Sequence, residues 1–251
     1  MIHLKLTIAY DGTGLVGWQR QATGTSVQGL LEDALAPIAG GPVAVAGAGR
    51  TDAGVHALAQ VASVTIPRQV TARAVVQSAN MYLPPAVRVT AADEVDPAFH
   101  ARFTAVAKRY RYRLWNSRVL NPFERSYAWH VPWPPLDLAA MNDAAVRLIG
   151  THDFAAFKGA GTDVDTSVRT IFASAVSETC EPDGGRLLTY EVRGDGFLRH
   201  MVRSIAGTLV EVGRGRRPIH SIDELLTVRD RAAVGRTAPA HGLFLVAVEY
   251  K

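Results

Sequence analysis

The tightest constraint on the fold is a repeated change of sequence period. Residues 2–10 alternate apolar and polar side chains and are rich in β-formers, which predicts a strand with one buried face. Asp11-Gly12-Thr13-Gly14 is a turn. The period then changes. Thr25 predicts a helix N-cap with Gln28 reaching back to close a capping box, and Val27, Leu30, Leu31, Leu35 and Ile38 form one apolar helix face. Gly40-Gly41-Pro42 ends it. Strands over residues 43–47 and 58–66, a helix over 71–83 closed by Pro84-Pro85, and a strand over 87–92 follow. This half therefore runs β-α-β-β-α-β, the order of a split, ferredoxin-like unit.

The second half repeats the theme without a visible sequence repeat. Residues 108–115 and 127–130 read as strands, 132–135 as a Pro-rich joint and 136–149 as a helix. Strands over 168–180 and 187–193 flank a turn at 181–185. Helices over 197–212 and 221–228 and a strand over 243–250 complete the chain. The expectation is an α+β fold of two ferredoxin-like (split β-α-β) halves sharing an extended antiparallel or mixed sheet. The halves are residues 1–100 and 101–251, with the boundary near 96–106.

Composition narrows the function classes. Hydrophobic residues make up 48% and charged residues 20% of the 251, which excludes wholesale disorder. No apolar run approaches the roughly 20 residues that span a bilayer, and residues 1–10 lack the pattern of a secretory signal. Cys180 is the one cysteine, so an internal disulfide and a multi-cysteine zinc site are excluded, and a reducing, cytoplasmic setting is expected. The eight histidines form no i,i+4 pair, so no metal is expected.

Charge is unevenly spread. Residues 1–100 carry 6 basic and 7 acidic side chains, whereas 101–251 carry 21 and 16. The stretch 101–118 holds six cations and no acid, and 193–217 holds a second arginine run. Such patches suit a polyanion, nucleic acid first, and equally suit a solvated face.

Three segments carry candidate chemistry. Gly12, Gly14 and Gly17 fit G-x-G-x-x-G after a strand, but they run into Trp18-Gln19-Arg20 and not into a helix, which weakens a dinucleotide reading. In Gly47-Ala48-Gly49-Arg50-Thr51-Asp52-Ala53-Gly54-Val55-His56-Ala57, Arg50 and Asp52 stand two apart. In an extended chain they point the same way, which places a guanidinium to orient a carboxylate. The other reading is a turn in which Asp52 and Gly54 serve backbone geometry. In residues 108–115, Lys108, Tyr110 and Tyr112 share one face and Arg109, Arg111 and Arg113 the other, a pattern for RNA or for a core. Arg199 and Arg203 are i,i+4 neighbours near an expected helix start, a phosphate site or a solvated face.

Together these motifs resemble the bacterial tRNA pseudouridine synthase A family over nearly the whole chain. The resemblance rests on Tyr10-Asp11-Gly12-Thr13, Gly17-Trp18-Gln19-Arg20-Gln21, Ser26-Val27-Gln28-Gly29, the 49–57 loop, and His100-Ala101-Arg102-Phe103 with Lys108-Arg109-Tyr110-Arg111-Tyr112. It continues through residues 197–203 and 238–243. Leu15 and Ala86 depart from the family pattern.

The resemblance implies a tRNA isomerase. It implies that uridine becomes pseudouridine on the 3′ side of the anticodon stem and loop (tRNA positions 38, 39 and 40), with no cofactor. It implies that Asp52 is the catalytic nucleophile, Arg50 its partner, Tyr110 the ring that stacks on the target base and Leu245 a pocket wall. Lys108, Arg199 and Arg203 are expected to bind substrate, and the family pattern implies a homodimer. The rival readings are an RNA-binding protein without catalysis, on the same sheet and arginine patches, and a nucleotide-dependent oxidoreductase resting on Gly12–Gly17.

Overall fold

The computed structural model describes residues 1–159, 165–181 and 185–251. Among them the chain has ten strands and five helices in an α+β arrangement, divided into two compact units, residues 1–106 with 244–251 and residues 107–243.

The first unit follows the expected element order. It contains β1 (Ile2–Tyr10), α1 (Val27–Ala39), β2 (Val45–Gly47), β3 (His56–Ile66), α2 (Ala72–Tyr82) and β4 (Val87–Glu94). β1 buries Ile2, Leu4, Leu6, Ile8 and Tyr10, every second residue, and pairs antiparallel with both β3 and β4. Alternation therefore sets both the buried face and the register. The last strand, β10 (Leu243–Tyr250), pairs in parallel with the start of β3, Phe244 opposite His56 and Leu245 opposite Ala57. β2 takes the same edge of β3 further along, Val45 opposite Val64. The two partners divide that edge between them.

The helix caps differ in one place from the expectation. Ser26, not Thr25, caps α1: its backbone is extended and its side chain accepts from Gly29 N. Gln28 does not close a capping box. Its amide accepts from Arg20 N and Gln19 Nε2 and donates to Val45 O. Gly40, at φ 78°, ends α1. Thr71 caps α2 by accepting from Ala74 N.

The second unit contains most of β5 (Ala105–Asn116), then β6 (Trp129–His130), α3 (Leu138–Val146), β7 (Gly150–Asp153), β8 (Val168–Cys180), β9 (Arg186–Gly194), α4 (Met201–Gly213) and α5 (Ser221–Val228). β9 lies between β5 and β8, and β7 pairs with β8. β7 is absent from the sequence reading, which carries a helix to residue 149. The helix ends at Val146, and Gly150 at φ 119° turns the chain into the strand. Part of the turn expected at 181–185 lies outside the described residues.

The start of α4 is the larger correction. The apolar spacing predicts a helix from residue 197, but the helix begins at Met201. His200 sits at φ 62°, in the left-handed region, and the Arg199 carbonyl accepts from Gly159 N at 2.7 Å. A left-handed residue cannot continue a right-handed helix, so the ladder starts after His200 and the Arg199 carbonyl is turned to Gly159. Arg199 therefore lies in a turn and Arg203 in the first helical turn, so they are not i,i+4 neighbours on one helix.

Candidate active site

The 48–55 loop joins β2 to β3, and its backbone is held from several sides. Ala48 N donates to Val61 O at 2.8 Å, and Gln60 Nε2 donates to Gly49 O at 2.9 Å. Thr51 is buried. Its hydroxyl lies 2.8 Å from the Tyr10 hydroxyl, and its carbonyl accepts from Trp18 N at 3.1 Å. Val55 N closes a turn on Asp52 O at 3.2 Å, and Gly54 N donates to Leu15 O at 3.3 Å. Burial pushes the Tyr10 phenol up to about 12, although its bonds to Thr51 and Gln60 act the other way. It is a neutral hydroxyl across the physiological range.

The glycines that mimic a dinucleotide fingerprint have a different use. A Cβ on Gly12 would lie 2.2 Å from Val55 O, and one on Gly17 would lie 2.5 Å from Thr51 O. A Cβ on Gly47 would lie 2.4 Å from the Trp18 ring. Gly12 and Gly17 let segments 11–18 and 47–55 touch backbone to backbone, and Gly47 leaves room for the Trp18 ring. The 12–17 segment is thus the backing of the 48–55 loop and does not open a helix.

Asp52 is half-buried at the loop tip, and Arg50 is exposed. The structure gives Arg50 a partner that the sequence reading did not name: its Nε donates to Gln19 Oε1 at 3.1 Å. Leu245, buried in β10, lies in register with Ala57 just past the loop. Next to it the Phe244 ring stacks on His56 at 4.6 Å, and His56 Nδ1 accepts from Gly12 N at 3.0 Å. The first unit therefore gathers Asp52, Arg50 and Leu245 around one loop and its strand.

The second unit places the others. Tyr110 is buried on β5, opposite Val192, with its ring edge-on to Phe197 at 5.0 Å. Lys108 stands opposite Gly194 on the same strand. Tyr112 is core: its hydroxyl donates to Pro239 O at 2.8 Å, and burial raises its pKa. On the opposite face, Arg111 pairs with Glu191 at 2.7 Å and Arg113 with Glu124 at 3.0 Å, while Arg109 is exposed. Arg199 is exposed in its turn. Arg203 is half-buried, and its Nε donates to Ala238 O at 2.8 Å while Ala238 N donates back to Arg203 O at 3.1 Å.

Sequence reasoning gave no individual role to Tyr10, Gln19, Thr51 and Gln60. One signal was available: a tyrosine closing the buried face of a strand needs a partner for its hydroxyl. Among the described residues no three His, Cys, Asp or Glu side chains converge as metal ligands, and no helix is long and apolar enough to cross a membrane.

A family model described as tRNA pseudouridine synthase matches residues 6–104 and 144–251. The chain belongs to the tRNA pseudouridine synthase family. The match takes in the 48–55 loop, its glycine backing and β10. Three relatives named tRNA pseudouridine synthase A agree. The protein of Myxococcus xanthus is 47% identical over 251 residues, covering 100% of this chain and 93% of its own. That of Solidesulfovibrio magneticus is 47% identical over 255 residues, covering 100% and 92%. That of Lacticaseibacillus casei is 42% identical over 251 residues, covering both chains in full. As a pseudouridine synthase the chain is an isomerase, and the family favours catalysis over the reading of an RNA-binding protein without it.

Proposed function

We propose that this isomerase acts on tRNA, converting uridine to pseudouridine on the 3′ side of the anticodon arm (tRNA positions 38 to 40), in the cytoplasm and as a homodimer. The observation that carries the reading is the 48–55 loop. Its backbone is anchored at Gly49, Thr51 and Gly54, and it presents a half-buried carboxylate, Asp52, at its tip. Preorganisation of this kind serves a nucleophile that must meet one atom of a base taken out of its stack. A pure binding surface has no use for a fixed carboxylate beside phosphates.

The reaction breaks the N1–C1′ bond of uridine, turns the uracil and joins its C5 to C1′. The C5 proton leaves and the freed N1 takes one up, so atoms balance with no redox step. Asp52 is the nucleophile and Arg50 its cationic neighbour. Leu245 lines the base pocket and Tyr110 offers a ring for the uracil to stack on. Lys108, Arg199 and Arg203 serve the phosphates, which supply most of the affinity.

Incubating an unmodified tRNA transcript with the protein and mapping pseudouridine by carbodiimide treatment and primer extension tests the reading. Modification confined to the 3′ side of the anticodon arm supports it, and modification elsewhere or none overturns it. Sedimentation at micromolar concentration giving about twice the 27.0 kDa chain mass supports the dimer, and a fully active monomer removes it.

A further inference from the structure

Arg50 ends a hydrogen-bonded relay of two glutamines. Its Nε donates to Gln19 Oε1 at 3.1 Å, and Gln19 Nε2 donates to Gln28 Oε1 at 2.7 Å. Gln28 Oε1 also accepts from Arg20 N at 3.0 Å. Gln28 Nε2 donates to Val45 O at 3.0 Å and to Glu32 Oε1 at 3.1 Å.

This relay has only one polarity. A carboxamide has one donating end and one accepting end. The Val45 carbonyl and the Glu32 carboxylate accept, so they fix the amino end of Gln28. Its oxygen then faces Gln19, which must present its own amino group. That leaves Gln19 Oε1 toward Arg50, whose guanidinium only donates. Turning either amide over sets oxygen against oxygen and an amino group against N–H donors. The direction is therefore set by a carbonyl of β2 and a carboxylate of α1, and it is delivered to Arg50. The bond engages Nε, on one flank of the guanidinium of an exposed side chain, and does not use its forked terminal nitrogens.

We propose that Gln19 is a positioning residue for the isomerisation. It holds Arg50 by Nε so that the terminal fork meets the tRNA in one orientation. The proposal rests on the reading that Arg50 serves the reaction. An exposed arginine samples many rotamers, and one held at Nε loses less freedom when its fork engages a substrate. The gain appears in the rate with substrate bound more than in the affinity, because tRNA affinity is spread over many phosphate contacts.

The test compares Gln19→Met, Arg50→Ala and the double variant with the parent. Methionine keeps the length of glutamine and removes both bonds. Single-turnover pseudouridine formation at saturating protein, the Kd for the tRNA transcript and the thermal midpoint are measured for each. Gln19→Met is expected to slow the saturated rate about tenfold or more, with the Kd within about threefold of the parent and the fold retained. The double variant is expected to be no slower than Arg50→Ala, within about twofold, because the two residues act as one unit. A parental rate in Gln19→Met beside a slow Arg50→Ala overturns the proposal and leaves the reading of Arg50 standing. Losses that add in the double variant also overturn it, because Gln19 then acts by another route. A parental rate in Arg50→Ala overturns the reading of Arg50 itself, and the proposal with it. Should Gln19→Met unfold, Gln19→Ala read in the same cycle decides between these outcomes.

Discussion

Gly17 and Asp52 meet through their backbones. A Cβ on Gly17 would stand 2.5 Å from Thr51 O and 3.0 Å from the Asp52 carbonyl carbon, and Gly17 itself adopts φ 100°. The carboxylate-bearing loop is thus backed by a residue that has no side chain to interpose.

Gly17→Ala should therefore be destabilising and slow together. The backbone conformation alone costs about 1–3 kcal/mol in an L-residue, and the clash with the 51–52 peptide adds to it. Gly14→Ala is the control: its φ is also positive, 76°, but nothing lies within 4 Å of the added carbon. It should cost about 1 kcal/mol and leave the saturated rate near the parent's. Denaturant melts and single-turnover rates measure both, and equal rate losses in the two variants would show that the backbone approach is irrelevant.

Asp52→Asn keeps the shape of the side chain and removes its charge. Affinity for tRNA should change by no more than a few-fold, because phosphate contacts dominate it, while turnover falls below detection. Tritium release from uridine labelled at C5 reports turnover directly. Release by the variant at even about a hundredth of the parent rate would return the loop to a purely structural role.

Arg199 and Arg203 should separate in their effects. Each is expected to contact phosphate, so each alanine variant should lower the salt slope of binding by roughly one unit. Arg203 also bonds Ala238 through Nε, so Arg203→Ala should in addition lose about 1–2 kcal/mol of stability. Salt titrations of the Kd beside thermal melts decide it. An unchanged slope in either variant removes that residue from the phosphate set.

Alkaline unfolding should follow the buried tyrosines. Tyr10, Tyr112 and Tyr190 are buried, and burial raises each pKa from 10.0, that of Tyr10 to about 12. A raised value means that the folded chain keeps a proton that the unfolded chain has lost. Stability is then level below pH 10 and falls as pH climbs from 10 toward 12, by about 1.4 kcal/mol per pH unit for each tyrosine at most. Tyrosinate absorbance followed beside circular dichroism checks this. Phenolate from these three should appear only as the helical signal is lost.

Much of the fold was legible in local pattern. β1, β8, α5 and β10 fall where periodicity and turn residues put them, because alternation and helical spacing report which face a segment buries. The 49–57 motif also marked the β2–β3 loop as the candidate site, since its glycines, Arg50 and Asp52 fall within a few residues of one another.

What the sequence could not settle was decided by partners far along the chain. Thr25 and Ser26 are equally plausible caps on composition, and the geometry of the entering chain chose Ser26. The apolar spacing of 197–212 is helical throughout, but the Arg199 carbonyl is taken by Gly159 and the helix starts four residues late. Arg50 and Asp52 stand two apart in sequence, but the partner that holds the Arg50 Nε is Gln19, 31 residues away. The physical reason is common to all three. Periodicity records burial, which each segment carries in its own side chains, whereas hydrogen-bond partners are assigned only once the backbone has brought distant donors and acceptors within reach.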